Sequence, residues 1–192
     1  MMTTELPRKY FPQSNQTYLS YFYHIHHLNR KWWFDENGDK LPRDMDTHFM
    51  LMTSELSEAM EAFRKNKKDD HLPQFDGVVV ELADFLIRLA DNVIGYDWKI
   101  QFNDFNHLWE SHLPVPAKIW YLNKELVYFY EMMDNEEAEP DALLGDIFHN
   151  TLLLMSQFTL DPWEIIYQKL IYNYTRADHS YAARAQPDGK KF

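Results

Sequence analysis

Apolar residues recur at spacings of three and four along most of this chain, and strict alternation over several residues is scarce. That is the period of a helix, and it predicts an all-α protein. Two stripes are clearest: Phe49, Met52, Leu56, Met60 and Phe63, then Leu82, Phe85, Leu86, Leu89 and Val93. Asp46 or Thr47 is the expected cap of the first of these helices, which ends in RKNKKDD at 64–70. Pro73 and Gly77 bracket the start of the second. Further helices are expected from Thr17 to about Trp33 and, short and aromatic-rich, within 97–113. Three more are expected over 117–134, 141–158 and 162–177, the last capped by Asp161 with Pro162 at its first position. Asn37-Gly38 marks a turn. Residues 1–16 read as an irregular arm and 181–192 as a flexible tail.

The polar positions beside the two stripes carry the candidate chemistry. Glu55 and Glu58 are three residues apart, as are Glu81 and Asp84, so each pair shares a side of its helix. On a helical wheel each pair lies roughly 120° from the centre of its stripe, and packing the stripes together lets the pairs converge. One such pair is ordinarily a solvated face. Two, in the same relation to neighbouring stripes, point to a site. Four clustered carboxylates repel unless cations sit among them, and hard oxygen donors suit Mg²⁺. Because like charges cost stability without their cation, Glu58→Ala or Asp84→Ala is expected to leave the metal-free fold intact or firmer. Arg64, Lys65, Lys67 and Lys68 suit the dipole at a helix C-terminus; the alternative is that one or two reach substrate phosphates. Three histidines, His24, His26 and His27, invite a metal reading, but His26 points away from the other two and aromatic neighbours favour packing.

Composition narrows the class. A chain of 192 residues, 45% hydrophobic and 16% aromatic with five glycines, is read as one all-α domain, 1–192. The net charge of −11 speaks against a nucleic-acid partner. With no cysteine, disulfides and thiolate chemistry do not arise. No apolar run is long enough for a membrane span and MMTTELPRKYF lacks a signal core, so a cytoplasmic protein without a membrane partner is expected.

SELSEA at 54–59 followed by ELADFLIRLAD at 81–91 resembles the MazG-like all-α nucleoside triphosphate pyrophosphohydrolases, which include the dimeric dUTPases. The resemblance covers about a fifth of the chain; Ser54 stands where many members carry a further glutamate. It implies a helical bundle in which Glu55, Glu58, Glu81 and Asp84 are the metal-binding and catalytic carboxylates. It also implies Mg²⁺-dependent cleavage, with Mn²⁺ as substitute, of a nucleoside triphosphate to monophosphate and pyrophosphate. QKLIYNYTRADH at 168–179 resembles the family's C-terminal K-x-x-x-N-x-x-R segment, which makes Lys169, Asn173 and Arg176 candidate phosphate or sugar contacts. Arg88 either pairs with Asp84 across one turn or joins Asp91 as a substrate-side residue; Asp91 is an outer metal ligand or a substrate contact.

The chain also divides into a motif-bearing half, 1–113, and a degenerate repeat, 114–180. NKELVYF lays Glu125 on Glu55, and LLGDIFHNTLL lays Asp146 on Asp84, while Tyr128 and Leu143 replace Glu58 and Glu81. Such a copy holds no metal alone and serves as packing. With the aromatic-rich apolar surface, it leads to the expectation of a homodimer. Two other functions are weighed: a non-catalytic helical nucleotide-binding or assembly module, and a diiron carboxylate bundle. The latter needs Glu-x-x-His pairs, against which the chain offers only Asp104-x-x-His107 and Asp146-x-x-His149.

Overall fold

The computed structural model describes residues 15–102, 113–133 and 140–190. Among them the helices run α1 Asn15–Leu28, α2 Arg30–Trp33, α3 Met45–Lys65, α4 Gly77–Gly95 and α5 Val115–Met133. They continue as α6 Asp141–Met155, α7 Pro162–Thr175, a 3₁₀ turn Ala177–His179 and α8 Tyr181–Arg184. The described residues form no strand, only isolated bridges between Phe34 and Lys40 and between Lys68 and Asp76. No described helix is long and apolar enough to cross a membrane. Asp104, His107 and most of the acidic turn at 134–140 lie outside the described residues.

Local chemistry sets the boundaries. Helix α3 starts one residue before Asp46, because Asp44 is extended and its carboxylate accepts from the Thr47 N–H at 3.2 Å. It ends where Asn66 turns left-handed, φ 49°. Asp161 caps α7 by accepting from the Glu164 N–H at 3.1 Å, with Pro162 next. The long helix expected over 17–33 is interrupted at Asn29, whose side chain is drawn to Asp91. Residues 97–102 of the expected aromatic helix are not helical, and Asp97 is left-handed, φ 58°, which helix geometry excludes. The rest of that segment lies outside the described residues.

Helix α4 is the axis of the fold. It packs on α1, α3, α6 and α7, and Val79, Val80, Leu82, Phe85, Leu86 and Leu89 along it are almost wholly buried. Each large apolar side chain so buried contributes roughly 1.5–3 kcal/mol over its exposed state. That sum is what lets one helix also carry a costly polar stripe. Phe49, Met52 and Leu56 of α3 are buried as the first stripe requires, with Phe49 against Trp98 and the α5 rings Phe129 and Tyr130, while Met60 and Phe63 are only half-buried against the core. Where α1–α2 crosses the end of α4, the Trp33 indole lies where a Cβ on Gly95 would sit, 2.2 Å away, so only glycine fits. Helices α5 and α6 pair as α3 and α4 do, with α5 on α3 and α6 on α4.

Residues 181–190, read from sequence as part of a loose tail, carry α8 and fold back over α2. The Arg184 guanidinium lies 4.2 Å above the Trp32 ring and the Tyr181 hydroxyl donates to the Phe34 carbonyl at 3.2 Å. The cation–π contact, this hydrogen bond and that from Arg184 to the Lys31 carbonyl hold the segment to the body.

Candidate active site

Helix α4 carries four charged residues, Glu81, Asp84, Arg88 and Asp91, and all four line one cavity of about 650 Å³. Its other walls come from α3 (His48, Leu51, Glu55, Glu58), the loop at 69–71, α7 (Lys169, Asn173), the segment after it (Arg176, His179, Lys190), and Asn29 and Trp32. Glu55, Glu58, Glu81, Asp84, Arg88, Asp91, Lys169, Asn173 and Arg176 all lie on this wall.

At its centre Glu55, Glu81 and Asp84 offer carboxylate oxygens that all lie within 4.8 Å of one another. Glu58 lines the cavity one turn beyond Glu55 and is not part of that closest group. Two unit charges 5 Å apart repel by about 3 kcal/mol at an effective dielectric near 20. The protein answers with cations and with protons. Arg88 Nε donates to Glu55 Oε1 at 2.7 Å, not to Asp84 one turn before it. Lys169 Nζ lies 3.0 Å from Asp84 Oδ2, and Asn173 Nδ2 donates to Asp84 Oδ1 at 2.7 Å. Burial, then the Asp84 charge, pushes Glu55 up to about 7 despite Arg88. Burial pushes Glu81 up to about 8, opposed by Lys169 and assisted by the other carboxylates. Burial alone would lower Lys169, but the charge and hydrogen bond of Asp84 outweigh it and hold the ammonium above its ordinary value.

The pH dependence follows from proton linkage. A carboxylate whose folded-state pKa lies above its unfolded value near 4.5 binds more protons folded than unfolded between those values, so rising pH removes stability there. For Glu81 the loss starts near pH 4.5 and is complete near pH 8. His24, His48, His149 and His179 are lowered by burial and act in the opposite sense, adding stability as pH rises through 6.5. A difference measurement isolates the carboxylate. Metal-free Glu81→Gln should melt with the wild type at pH 5 and above it at pH 8. The expected gain is about 2 kcal/mol once solvent screening of the partly exposed group is allowed for.

Asp91 lines the cavity and is also held by three donors from α1 and α2 and the turn between them. Its oxygens accept from His26 Nδ1 at 2.7 Å, Trp33 Nε1 at 3.0 Å and Asn29 Nδ2 at 3.1 Å. A carboxylate only accepts here, so His26 Nδ1 carries the proton. Asp91 thereby fixes α1 and α2 on α4, and lines the cavity as a wall. His48 Nδ1 donates to the Asn92 side-chain Oδ1 at 2.6 Å, leaving Nε2 as the acceptor on a neutral ring. Arg176 is held bidentate by Asp178, at 3.0 and 2.7 Å.

The surface cations near α3 are not among the residues lining the cavity, although Lys67 pairs with Asp70, which is. Arg64 and Lys65 pair with Glu61, Lys67 with Asp70 and Lys68 with Asp76. Among the described residues the ligand-type group contains no histidine. Asp146, His149 and Glu125 are not among the residues lining the cavity. His149 packs instead against Tyr18 and Phe102.

The residues that sequence reasoning passed over are His48, Asn29, Trp32, His71, His179 and Lys190. His48, Leu51, Glu55 and Glu58 follow one another at spacings of three, four and three, so the α3 wall was readable as a stripe. The others arrive from separate elements and carry no local signal.

Comparisons with protein families, with curated proteins and with solved structures find no match to this chain.

Proposed function

We propose that this chain is a Mg²⁺-dependent nucleoside triphosphate pyrophosphohydrolase, which cleaves a (deoxy)nucleoside triphosphate to monophosphate and pyrophosphate. The observation that carries it is the meeting of Glu55, Glu81 and Asp84 within 4.8 Å, from two motif helices, inside a cavity walled by cations. The donors are hard oxygens with no sulfur or imidazole among them, which fits Mg²⁺ or Mn²⁺ better than zinc or copper. Glu55, Glu81 and Asp84, with Glu58 beside them, would hold the metal. When bound, Mg²⁺ offsets the charge of the triphosphate and makes its phosphorus more open to attack.

The chain's own residues do the rest. Arg88, Lys169 and Arg176 supply positive charge along the wall, suited to the phosphate oxygens of a triphosphate. About 650 Å³ is within the range of small-molecule pockets, so a whole nucleotide can be enclosed. One of the clustered carboxylates takes a proton from the attacking water. The water oxygen bonds to the α-phosphorus as the bond to the pyrophosphate oxygen breaks. The homodimer belongs to the same proposal, and its natural contact is the outer face of α5, where Trp120, Val127 and Tyr128 are exposed.

A panel of ribo- and deoxynucleoside triphosphates with Mg²⁺, assayed for pyrophosphate, tests the activity. Turnover of at least one that stops with EDTA and returns with Mg²⁺ or Mn²⁺ is expected. Nucleotide binding without turnover would favour the non-catalytic module instead.

A further inference from the structure

We infer that Lys169 couples metal loading to polyphosphate binding: it is an internal counter-cation that a divalent ion displaces and a phosphate then receives. The inference rests on the metal site proposed above.

Both oxygens of Asp84 are occupied from within the chain, Oδ2 by Lys169 and Oδ1 by Asn173. Mg²⁺ demands ligand oxygens at about 2.0–2.1 Å in near-octahedral array. An ammonium 3.0 Å from the same oxygen competes for its lone pairs and repels the incoming dication. For Asp84 to become a ligand through Oδ2, Lys169 has to move.

Its alternatives are few. The Lys169 side chain is only 5% exposed, so water does not receive it where it stands. The acids acting on its charge are Asp84, Glu81 and Asp69. Glu81 belongs to the carboxylate group itself. Asp69 is buried on the wall of the same cavity, with its Oδ1 already accepting from the His71 and Leu72 N–H groups at 2.9 and 2.7 Å, so a move towards its other oxygen is also a move along the cavity wall. What remains is the cavity, whose wall Lys169 helps form. A buried ammonium released there needs an anion, and a phosphate oxygen beside the metal is one. Arg88 makes a similar contact to Glu55, but at 35% exposure it can relax into water. The coupling therefore sits on Lys169.

The consequence is reciprocal: phosphate tightens metal binding and metal tightens phosphate binding by the same factor. The test uses the full-length protein and Mn²⁺ as probe, with free Mn²⁺ followed by electron paramagnetic resonance, so no turnover is needed. In the wild type, millimolar orthophosphate should tighten Mn²⁺ binding by about fivefold or more. In Lys169→Met, Mn²⁺ alone should bind about tenfold tighter than in the wild type, and phosphate should add nothing further. If Lys169→Met does not fold, the phosphate effect on the wild type decides. Equal Mn²⁺ affinity with and without phosphate overturns the inference and leaves the metal site standing. So does a Lys169→Met protein that folds and binds Mn²⁺ no tighter than the wild type. A wild type that binds no Mn²⁺ under either condition overturns both together.

Discussion

Glu81→Gln is expected to lose pyrophosphate release by about 10³-fold, beyond the 10–100-fold typical of groups one step removed from a metal. Among the described residues no hydrogen bond or ion pair holds Glu81, which meets its neighbours only as charge. An isosteric amide therefore removes one of the proposed metal ligands while leaving packing untouched. Kinetics beside a melting curve at pH 5 check this. A variant that keeps more than about a tenth of wild-type turnover would show that Glu81 is outside the chemistry. A large drop in melting temperature would show that it is structural.

Asp84→Ala is expected to behave in the opposite way on stability, against the expectation from sequence that its removal leaves the fold intact or firmer. Asp84 is the partner of Lys169, and the two side chains are only 15% and 5% exposed. Truncating it strands a buried ammonium and the Asn173 amide, at a cost of about 3 kcal/mol. The cost is in the leftover charge, so Asp84→Ala with Lys169→Met should recover most of it. A double-mutant cycle by chemical denaturation of the metal-free proteins measures the coupling. A coupling below about 0.5 kcal/mol, the additivity expected of independent sites, would mean that the pair contributes little in the folded state. Glu58→Ala, with no partner stranded, keeps the original expectation of an unchanged or firmer metal-free fold.

The difference between Asp84 and Glu58 shows what the sequence could and could not convey. Period and capping chemistry are local, so the helices over 45–65, 77–95, 115–133, 141–155 and 162–175 are legible to within a few residues. The same period put Glu55 with Glu58, Glu81 with Asp84, and Lys169 with Asn173 on common faces, whereas Arg176, expected on the face of Lys169 and Asn173, lies past the end of α7 in extended backbone. Which groups then pair across helices is set by packing. The spacing rule favours Arg88 with Asp84, yet α3 lies close enough for Glu55 to take the guanidinium. Asp91 carries no sequence mark of the three donors that α1 and α2 bring to it. His179 and Lys190 reach the cavity because the chain after α7 folds back over α2, where Arg184 lies over the Trp32 ring. The apolar stripes also understated α4: beside a two-sided stripe, Val78, Val79 and Val80 in succession mark a helix covered on most sides.

The central claim is cleavage between the α and β phosphates, and phosphorus-31 NMR of a nucleoside triphosphate incubated with the protein and Mg²⁺ reads that bond directly. Resonances of nucleoside monophosphate and pyrophosphate growing in equal amounts are expected, absent with EDTA and absent with Glu81→Gln. Diphosphate and orthophosphate as products, or no product from any of the common triphosphates with Mg²⁺ or Mn²⁺, would contradict it.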